Sequence, residues 1–415
     1  MSNFKVLKID NQEDSWDARQ KLIEGWDADA IRNATVLVIG AGAIGNETIK
    51  NLALLGFGNT IICDLDTIET SNLTRTALFT EHDIGKKKAP LAAARMREMN
   101  LEPTAIADSF DGDVVYTLGD GVFRRATLVL GCLDNVETRM HVNKICMRYG
   151  IPYIDAGIGA LGCNLQVMKG HEYGCYACFA PAYKFEDRFR NSCDITKKKA
   201  ASAGKAATVQ TTSAIIAGLQ VQEALKIVCD MSPEFGIELY YQGTFHSFDK
   251  FRMRVDPKCT CHQLSPRTDI RETPLSHHNT LRELLTYTSA QGFGELSILD
   301  DKLRDFIATV ACPACGKSMR IFRPLYQVYS NDFYCDDCRG STHQLFDRID
   351  KYVDFSLETT PDEILDLTLE ELGIPAFHVL PLYDPDSENY DRAYFELTGD
   401  LKQVLPNYYQ KHKEH

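Results

Sequence analysis

The sequence predicts an α/β protein: a Rossmann-like, doubly wound sheet in the first part, then a smaller α+β domain containing zinc. Three observations predict this. Short apolar runs recur at residues 36–39, 59–63, 126–130 and 151–155, separated by stretches of helical spacing, as when buried parallel strands alternate with crossover helices. The first run leads straight into Gly40, Gly42 and Gly45 in a G-x-G-x-x-G pattern. Further on, Cys312/Cys315 and Cys335/Cys338 form two C-x-x-C pairs with 19 residues between them, the spacing of a zinc ribbon.

Composition narrows the class. The 415 residues suffice for two or three domains, and 44% apolar content supports an ordinary core. A net charge of −13 argues against nucleic acid or a membrane surface as the main partner. No run of 18 apolar residues occurs and the polar start does not read as a signal peptide, so a cytoplasmic location is expected. In such a compartment the 14 cysteines read as metal ligands, a nucleophile and core thiols rather than disulfides. The expected organisation is a flexible stretch over 1–14, a main domain over 15–262, a polar linker over 263–275 and a C-terminal domain over 276–415, with the ribbon at 312–338.

Residues 16–31 have helical spacing of apolar positions, with Arg19 reading as a solvated helix residue. After the strand at 36–39, the three glycines let backbone approach a phosphate at a helix N-terminus. The second run ends at Asp64, at the strand tip where a nucleotide ribose is held, with Asp66 two residues on. On these features alone a dehydrogenase and an ATP enzyme fit equally well. Asn72 and Arg75 favour a triphosphate, since Arg spreads its donors over phosphate oxygens and Asn bonds phosphate or ribose. A helix is expected over 83–99, with Lys86, Lys87 and Lys88 at its start. The run at 126–130 ends at Asp134 and Asn135, with Arg139 one turn on. Asp134 then lies beyond the carboxyl end of a strand, and Asn135 reads as an N-cap. Cys63, Cys132, Cys146 and Cys163 read as core thiols.

Strands at 151–155 and within 157–168 precede Cys175 and Cys178. A second pair, Cys259 and Cys261, follows the strand-like stretch 247–255. Four thiolates make a tetrahedral zinc site, with His262 as a possible substitute ligand; a redox C-x-x-C is the competing reading. Between the pairs, residues 180–205 read as a long loop with one cysteine, Cys193. Residues 184–205 hold seven Lys/Arg against three acids, a local charge that stabilises a thiolate. Cys193 therefore reads as a nucleophile, against the plainer reading of a spare loop cysteine. A core-facing helix is expected over 208–229, strands near 239–241 and 251–255, and further strand-like runs at 352–355 and 378–382.

Residues 16–262, through these motifs together, resemble the ThiF/MoeB/ubiquitin-activating superfamily, whose members adenylate the C-terminal glycine of ubiquitin-like proteins. The resemblance implies ATP and Mg²⁺. Gly40, Gly42, Gly45, Asp64, Asp66, Asn72, Arg75, Lys88 and Asn135 would form the nucleotide site, and Asp134 would hold magnesium. Arg19, in an Arg-Gln pair, would reach the nucleotide of a partner subunit in a homodimer. It further implies Zn²⁺ on Cys175, Cys178, Cys259 and Cys261, a crossover loop at 180–205, and Cys193 as the cysteine that takes the modifier as a thioester.

Two departures stand out. Thr76 follows Arg75 where MoeB-like enzymes have Gln, and Asp194 follows Cys193 where Thr is usual. In the branch serving the ufmylation modifier the cysteine lies nearer the next helix, close to Lys205 here. Residues 368–375, TLEELGIP, resemble a phrase near the C-termini of modifier-activating enzymes, implying a domain that docks a conjugating enzyme or modifier, or that dimerises. The overall pattern resembles bacterial activating enzymes of ubiquitination-like operons (Bil type), which contribute to antiphage defence. Alternatives are an adenylating enzyme without a thioester step, serving a sulfur carrier or a tRNA-dehydratase-like substrate, and a non-catalytic scaffold of the same fold.

Overall fold

The computed structural model describes residues 15–179, 208–298, 304–328, 335–338, 349–388 and 391–413. The expected flexible stretch at 1–14 and the loop at 180–205 with Cys193 lie outside the described residues.

The strands β1 (Thr35–Ile39), β2 (Asn59–Asp64), β3 (Ile106–Asp111), β4 (Leu128–Gly131), β5 (Tyr153–Ile158), β6 (Gly162–Met168), β7 (Ile237–Gln242) and β8 (Ser247–Arg252) form one sheet in the order β3-β2-β1-β4-β5-β6-β7-β8. The first five are parallel; β6, β7 and β8 turn back antiparallel. Alternation along β1 sends Val36 and Val38 to one face and Leu37 and Ile39 to the other. The first face packs on helices Ala43–Leu54, Lys88–Met99 and Gln210–Val228. The second packs on helix Val136–Tyr149 and, from far along the chain, on Phe377 and Leu405. The strand order reverses between β1 and β4, and a crevice opens at such a point beyond the strand ends.

A second sheet has the order β14-β10-β15-β16-β9, built from β9 (Ile270–Thr273), β10 (Glu295–Ser297), β14 (Asp354–Ser356), β15 (Val379–Tyr383) and β16 (Arg392–Leu397). A third has β11 (Phe306–Ala311) between β12 (Ser318–Pro324) and β13 (Ile349–Tyr352). Residues 263–275, expected as a linker, carry β9, which pairs in parallel with β16; Arg267 in the same stretch is buried. In the 368–375 stretch, Leu369, Leu372 and Ile374 are spent inside the core of this part, together with Leu281, Leu380 and Phe395.

Two expected helices are shorter than their apolar spacing implied. Over 16–31, Gly25 takes φ +83° and divides the stretch into a 3-10 turn Gln20–Leu22 and a helix Ala28–Asn33, which Asp27 caps through Ala30 N–H at 2.8 Å. Over 83–99, Asp83 closes a capping box with Thr80 and Gly85 takes φ +86°, so the helix begins at Lys88.

Candidate functional site: a phosphate-loop cavity

The turn after β1 has to pass very close to its neighbours. Gly40 has φ +98°, and a Cβ there would lie 2.4 Å from the Cys132 carbonyl oxygen. A Cβ on Gly45 would meet the Gly40 carbonyl oxygen at 1.9 Å, so Gly45 lets the helix close onto the loop and faces away from the crevice. Gly42 has nothing within 4 Å of its virtual Cβ and lines the crevice. Asn46 holds the turn from behind: its Nδ2 donates to the carbonyls of Ala41 (2.7 Å) and Gly42 (3.1 Å), and its Oδ1 accepts from Leu78 N–H at 2.9 Å. Sequence reasoning missed Asn46, although an amide side chain one turn into the helix after a glycine loop is a readable signal.

Around this turn lies a cavity of about 650 Å³. Gly40, Gly42, Asp64, Asp66, Asn72, Arg75, Lys88, Asp134 and Asn135 all line it. Asp64, at the end of β2, accepts from Ala41 N–H (2.6 Å) and Asp66 N–H (2.8 Å). Burial pushes its carboxyl above the usual range, with Lys88 and these backbone donors pulling the other way. Lys88 has a side chain only 9% exposed, and its Nζ lies 2.7 Å from Asp66 Oδ2. Lys86 and Lys87, both far more exposed, pair instead with the buried Asp83 (2.8 Å) and with Asp111 (3.1 Å). Asn72 commits its Oδ1 to Glu69 N–H at 2.9 Å in the turn Thr70–Arg75, so its Nδ2 amide is what it can offer a ligand. Arg75 ends that turn, with Nη1 3.2 Å from the Ser71 carbonyl.

Across the cavity, Asn135 caps the helix Val136–Tyr149 through Thr138 N–H (2.8 Å) and donates to the exposed Asp134 at 3.2 Å. Arg139 donates to the carbonyls of Leu133 (2.7 Å) and Ala156 (3.1 Å), and its Nε is 3.4 Å from the fully buried Asp155. Burial holds Asp155 up to about 6 against the pull of Arg139 and the Tyr153 hydroxyl, which donates at 2.7 Å. Gln220 ties this wall to the core, donating to Gly131 and Ile154 carbonyls at 3.0 and 2.9 Å. Asp155 and Gln220 sit in apolar-looking segments and left no local signal.

Cavity and helix termini together suit a polyanion: backbone amides at Gly42, a buried ammonium, a guanidinium, and carboxylates placed for hydroxyls or a hard cation. Arg19 does not join them. It is exposed, beside Gln20, whose Nε2 donates to Leu54 O at 3.3 Å at the far end of the helix that starts at the cavity. Twelve residues of helix set that end roughly 18 Å away.

Two cysteine groups lie elsewhere. The donor atoms of Cys175, Cys178, Cys259 and His262 fall within 4.8 Å of one another, with Cys175 Sγ 3.8 Å from Cys178 Sγ and 3.7 Å from Cys259 Sγ. Cys261 lies outside that set. The buried Nε2 of His262 has no hydrogen-bond partner among the described residues, which a metal would satisfy. Cys259 and His262 also repeat the spacing of Cys175 and Cys178. Cys312, Cys315, Cys335 and Cys338 form the second set, with Sγ pairs at 3.9 and 3.8 Å. Soft donors in closed groups of four fit a structural Zn²⁺ at each place.

Among known proteins, the model of the ThiF family matches residues 18–267. The chain is 31% identical to ubiquitin-like modifier-activating enzyme 5 of Bombyx mori over 252 residues, covering 57% of this chain and 61% of that protein. It is 38% identical to SUMO-activating enzyme subunit 2 of Dictyostelium discoideum over 151 residues, 36% of this chain and 22% of that one. The chain thus spans less than two thirds of these relatives. Among solved structures, E. coli MccB with ATP is similar at a TM-score of 0.48 and 25% identity, covering 57% of this chain and 69% of that one.

Proposed function

Because this chain belongs to the ThiF family, whose model matches more than half of it, we propose that it activates a ubiquitin-like protein at the expense of ATP. One observation carries the reading: Asp64, Asn72, Arg75, Lys88 and Asp134 converge on a single cavity around the Gly40–Gly42 turn. The modifier's C-terminal glycine carboxylate attacks the α-phosphate. A carboxyl-oxygen–phosphorus bond forms, the α–β phosphoanhydride bond breaks, and pyrophosphate leaves with the electron pair. The protein's contribution is position and neutralised charge. Asp64 takes the ribose; Asn72, Arg75 and Lys88 take phosphate oxygens, Lys88 leaving Asp66 as it does so. Asp134 would hold Mg²⁺, with Asn135 beside it, and the ion would offset phosphate charge. Arg19 of a second copy, in a homodimer, would complete the site in trans. Its exposure and distance from its own cavity suit that role better than one in cis.

In a second step the Cys193 thiolate attacks the acyl carbonyl, AMP departs, and a thioester forms for hand-over to a conjugating enzyme. Cys193 lies outside the described residues; its cationic sequence neighbours support the assignment. Thr208, where the described chain resumes, lines the cavity. The likeness of the whole pattern to Bil-type enzymes supports a bacterial antiphage conjugation pathway in the cytoplasm. No helix among the described residues is long and apolar enough to cross a membrane.

The test uses purified protein, Mg-ATP and candidate ubiquitin-like proteins, following pyrophosphate release and a non-reducing gel for wild type and Cys193→Ala. Pyrophosphate plus a thiol-sensitive adduct that the variant lacks is the expected result. Pyrophosphate without an adduct would move the chain to adenylation alone, as for a sulfur carrier or a tRNA-dehydratase-like substrate. ATP binding with no turnover on any modifier would favour a scaffold.

A further inference from the structure

Resting on the reading of the cavity as an ATP site, we propose that Arg304 and Tyr326 are positioning residues for the base end of the nucleotide. From the C-terminal part of the chain they hold the cavity wall that follows β3.

The strand order places the parts of the nucleotide. The phosphate turn follows β1, and the ribose carboxylate Asp64 ends β2. Asp111 at the end of β3 pairs opposite Asp64, on the side away from β1. What lies past the ribose in that direction is the base, and the next residues, Gly112 to Val114, line the cavity there.

The shape of this wall depends on the tight turn behind it. Thr117 donates to the Asp113 carbonyl through N–H (2.8 Å) and Oγ1 (2.7 Å), and Val115 N–H donates to Asp113 Oδ1 at 2.8 Å. A Cβ on Gly112 would lie 2.4 Å from Thr117 Oγ1, so the turn presses directly on the wall. The outside of the turn is gripped from more than 180 residues away. Arg304, 2% exposed, donates from Nη2 to the Val115 carbonyl (3.1 Å) and from Nη1 to the Tyr116 carbonyl (3.2 Å), and also bonds the Gly373 carbonyl. The Tyr326 ring stacks on Tyr116 with centroids 4.4 Å apart and planes within 8°. Arg304 lies two residues before β11 and Tyr326 two residues after β12, so both come from the base of one hairpin.

A planar guanidinium serves three carbonyls at once, which a lysine ammonium on a flexible stem does not reproduce. Releasing the grip lets the wall sample other shapes. Apparent affinity for ATP then falls in proportion to the fraction that stays competent. The phosphate turn, on the other side of β2, is left as it was.

The experiment measures calorimetric affinities of the full-length protein for ATP and for inorganic tripolyphosphate, which has phosphates and no base, together with melting temperature. Variants are Tyr326→Ala, Tyr326→Phe and Arg304→Lys. The expected result is an ATP Kd raised on the order of tenfold in Tyr326→Ala and Arg304→Lys, unchanged tripolyphosphate binding, and wild-type values in Tyr326→Phe, which keeps the stacked ring. Should Arg304→Lys fail to fold, the tyrosine pair carries the comparison. ATP affinity that stays at the wild-type value in Tyr326→Ala, or that falls in parallel with tripolyphosphate affinity, overturns the proposal. Wild-type protein that binds no ATP overturns the ATP reading itself, and the proposal with it.

Discussion

Lys88 is buried and paired with an exposed partner, Asp66, whose carboxylate is 58% exposed. Removing the ammonium therefore strands little charge in the interior, while the cavity loses its buried cation. Lys88→Met is expected to slow pyrophosphate release by about 10²-fold or more while moving the melting temperature little, as read by a coupled pyrophosphate assay beside calorimetry. Asp155 gives a prediction of opposite character. Its carboxyl is raised from 3.8 to about 6 by burial, so between those values the folded state binds the proton more readily than the unfolded chain. Wild type should then gain stability relative to Asp155→Asn as pH falls from about 7 to 4, seen as a changing difference between their melting temperatures. A constant difference would remove the shift. Gly40, Asp64, Asn72, Arg75 and Asp134 were legible in the sequence because each follows a strand end at short range. Asn46 was missed although its partners, the Ala41 and Gly42 carbonyls, are local; Asp155 and Gln220 were not legible, because what gives them meaning is a carbonyl or guanidinium supplied by another segment.

At the scale of elements, the two cysteine groups staple segments that share little apolar area. Cys175, Cys178, Cys259 and Cys261 cluster with Met147 as a separate buried group beside the sheet. Metal analysis is expected to find two zinc ions per chain. Cys312→Ser should reduce that to one, and His262→Ala should release the other more readily than Cys261→Ala; the reverse order would return Cys261 to the ligand set. A strong chelator should lower the melting temperature, since a structural zinc contributes on the order of 10 kcal/mol to the piece it closes. The C-x-x-C spacings were legible because ligands on one turn are local. The choice between Cys261 and His262 was not, since it depends on how the turn Thr260–Gln263 aims each side chain. Helix extents were misread where Gly25 and Gly85 take positive φ, because apolar periodicity continues past a backbone break.

For the whole molecule, the parts expected to be joined by a linker share buried charge and a hydrophobic core. Glu396 is fully buried against Arg124 and Arg125. Asp120 is also buried, yet His378, Arg267 and Arg148 outweigh that burial and hold its carboxyl below the usual range. Stability from Asp120 is therefore present above about 4 and is lost as pH falls below the ordinary value of 3.8. Glu396→Gln leaves two guanidinium groups facing a neutral amide and should cost about 3 kcal/mol, measured by denaturant unfolding. Asn407 Nδ2 and Tyr408 N–H donate to Asp108 within β3 at 2.7 and 2.8 Å, closing the join from the other end. None of this was legible, because complementary charges hundreds of residues apart leave no spacing to read.

The two faces of β1 have a consequence for synthesis. Val36 and Val38 find Ile49 and Leu52 soon after they are made, whereas Leu37 and Ile39 pack with Phe377 and Leu405. At about 5–20 residues per second, the ribosome leaves that second face without its last partners for roughly 20 to 70 s. During that interval the face covered by helix Val136–Tyr149 still lacks its late apolar partners, and the nascent chain displays a sticky edge that a holding chaperone would recognise.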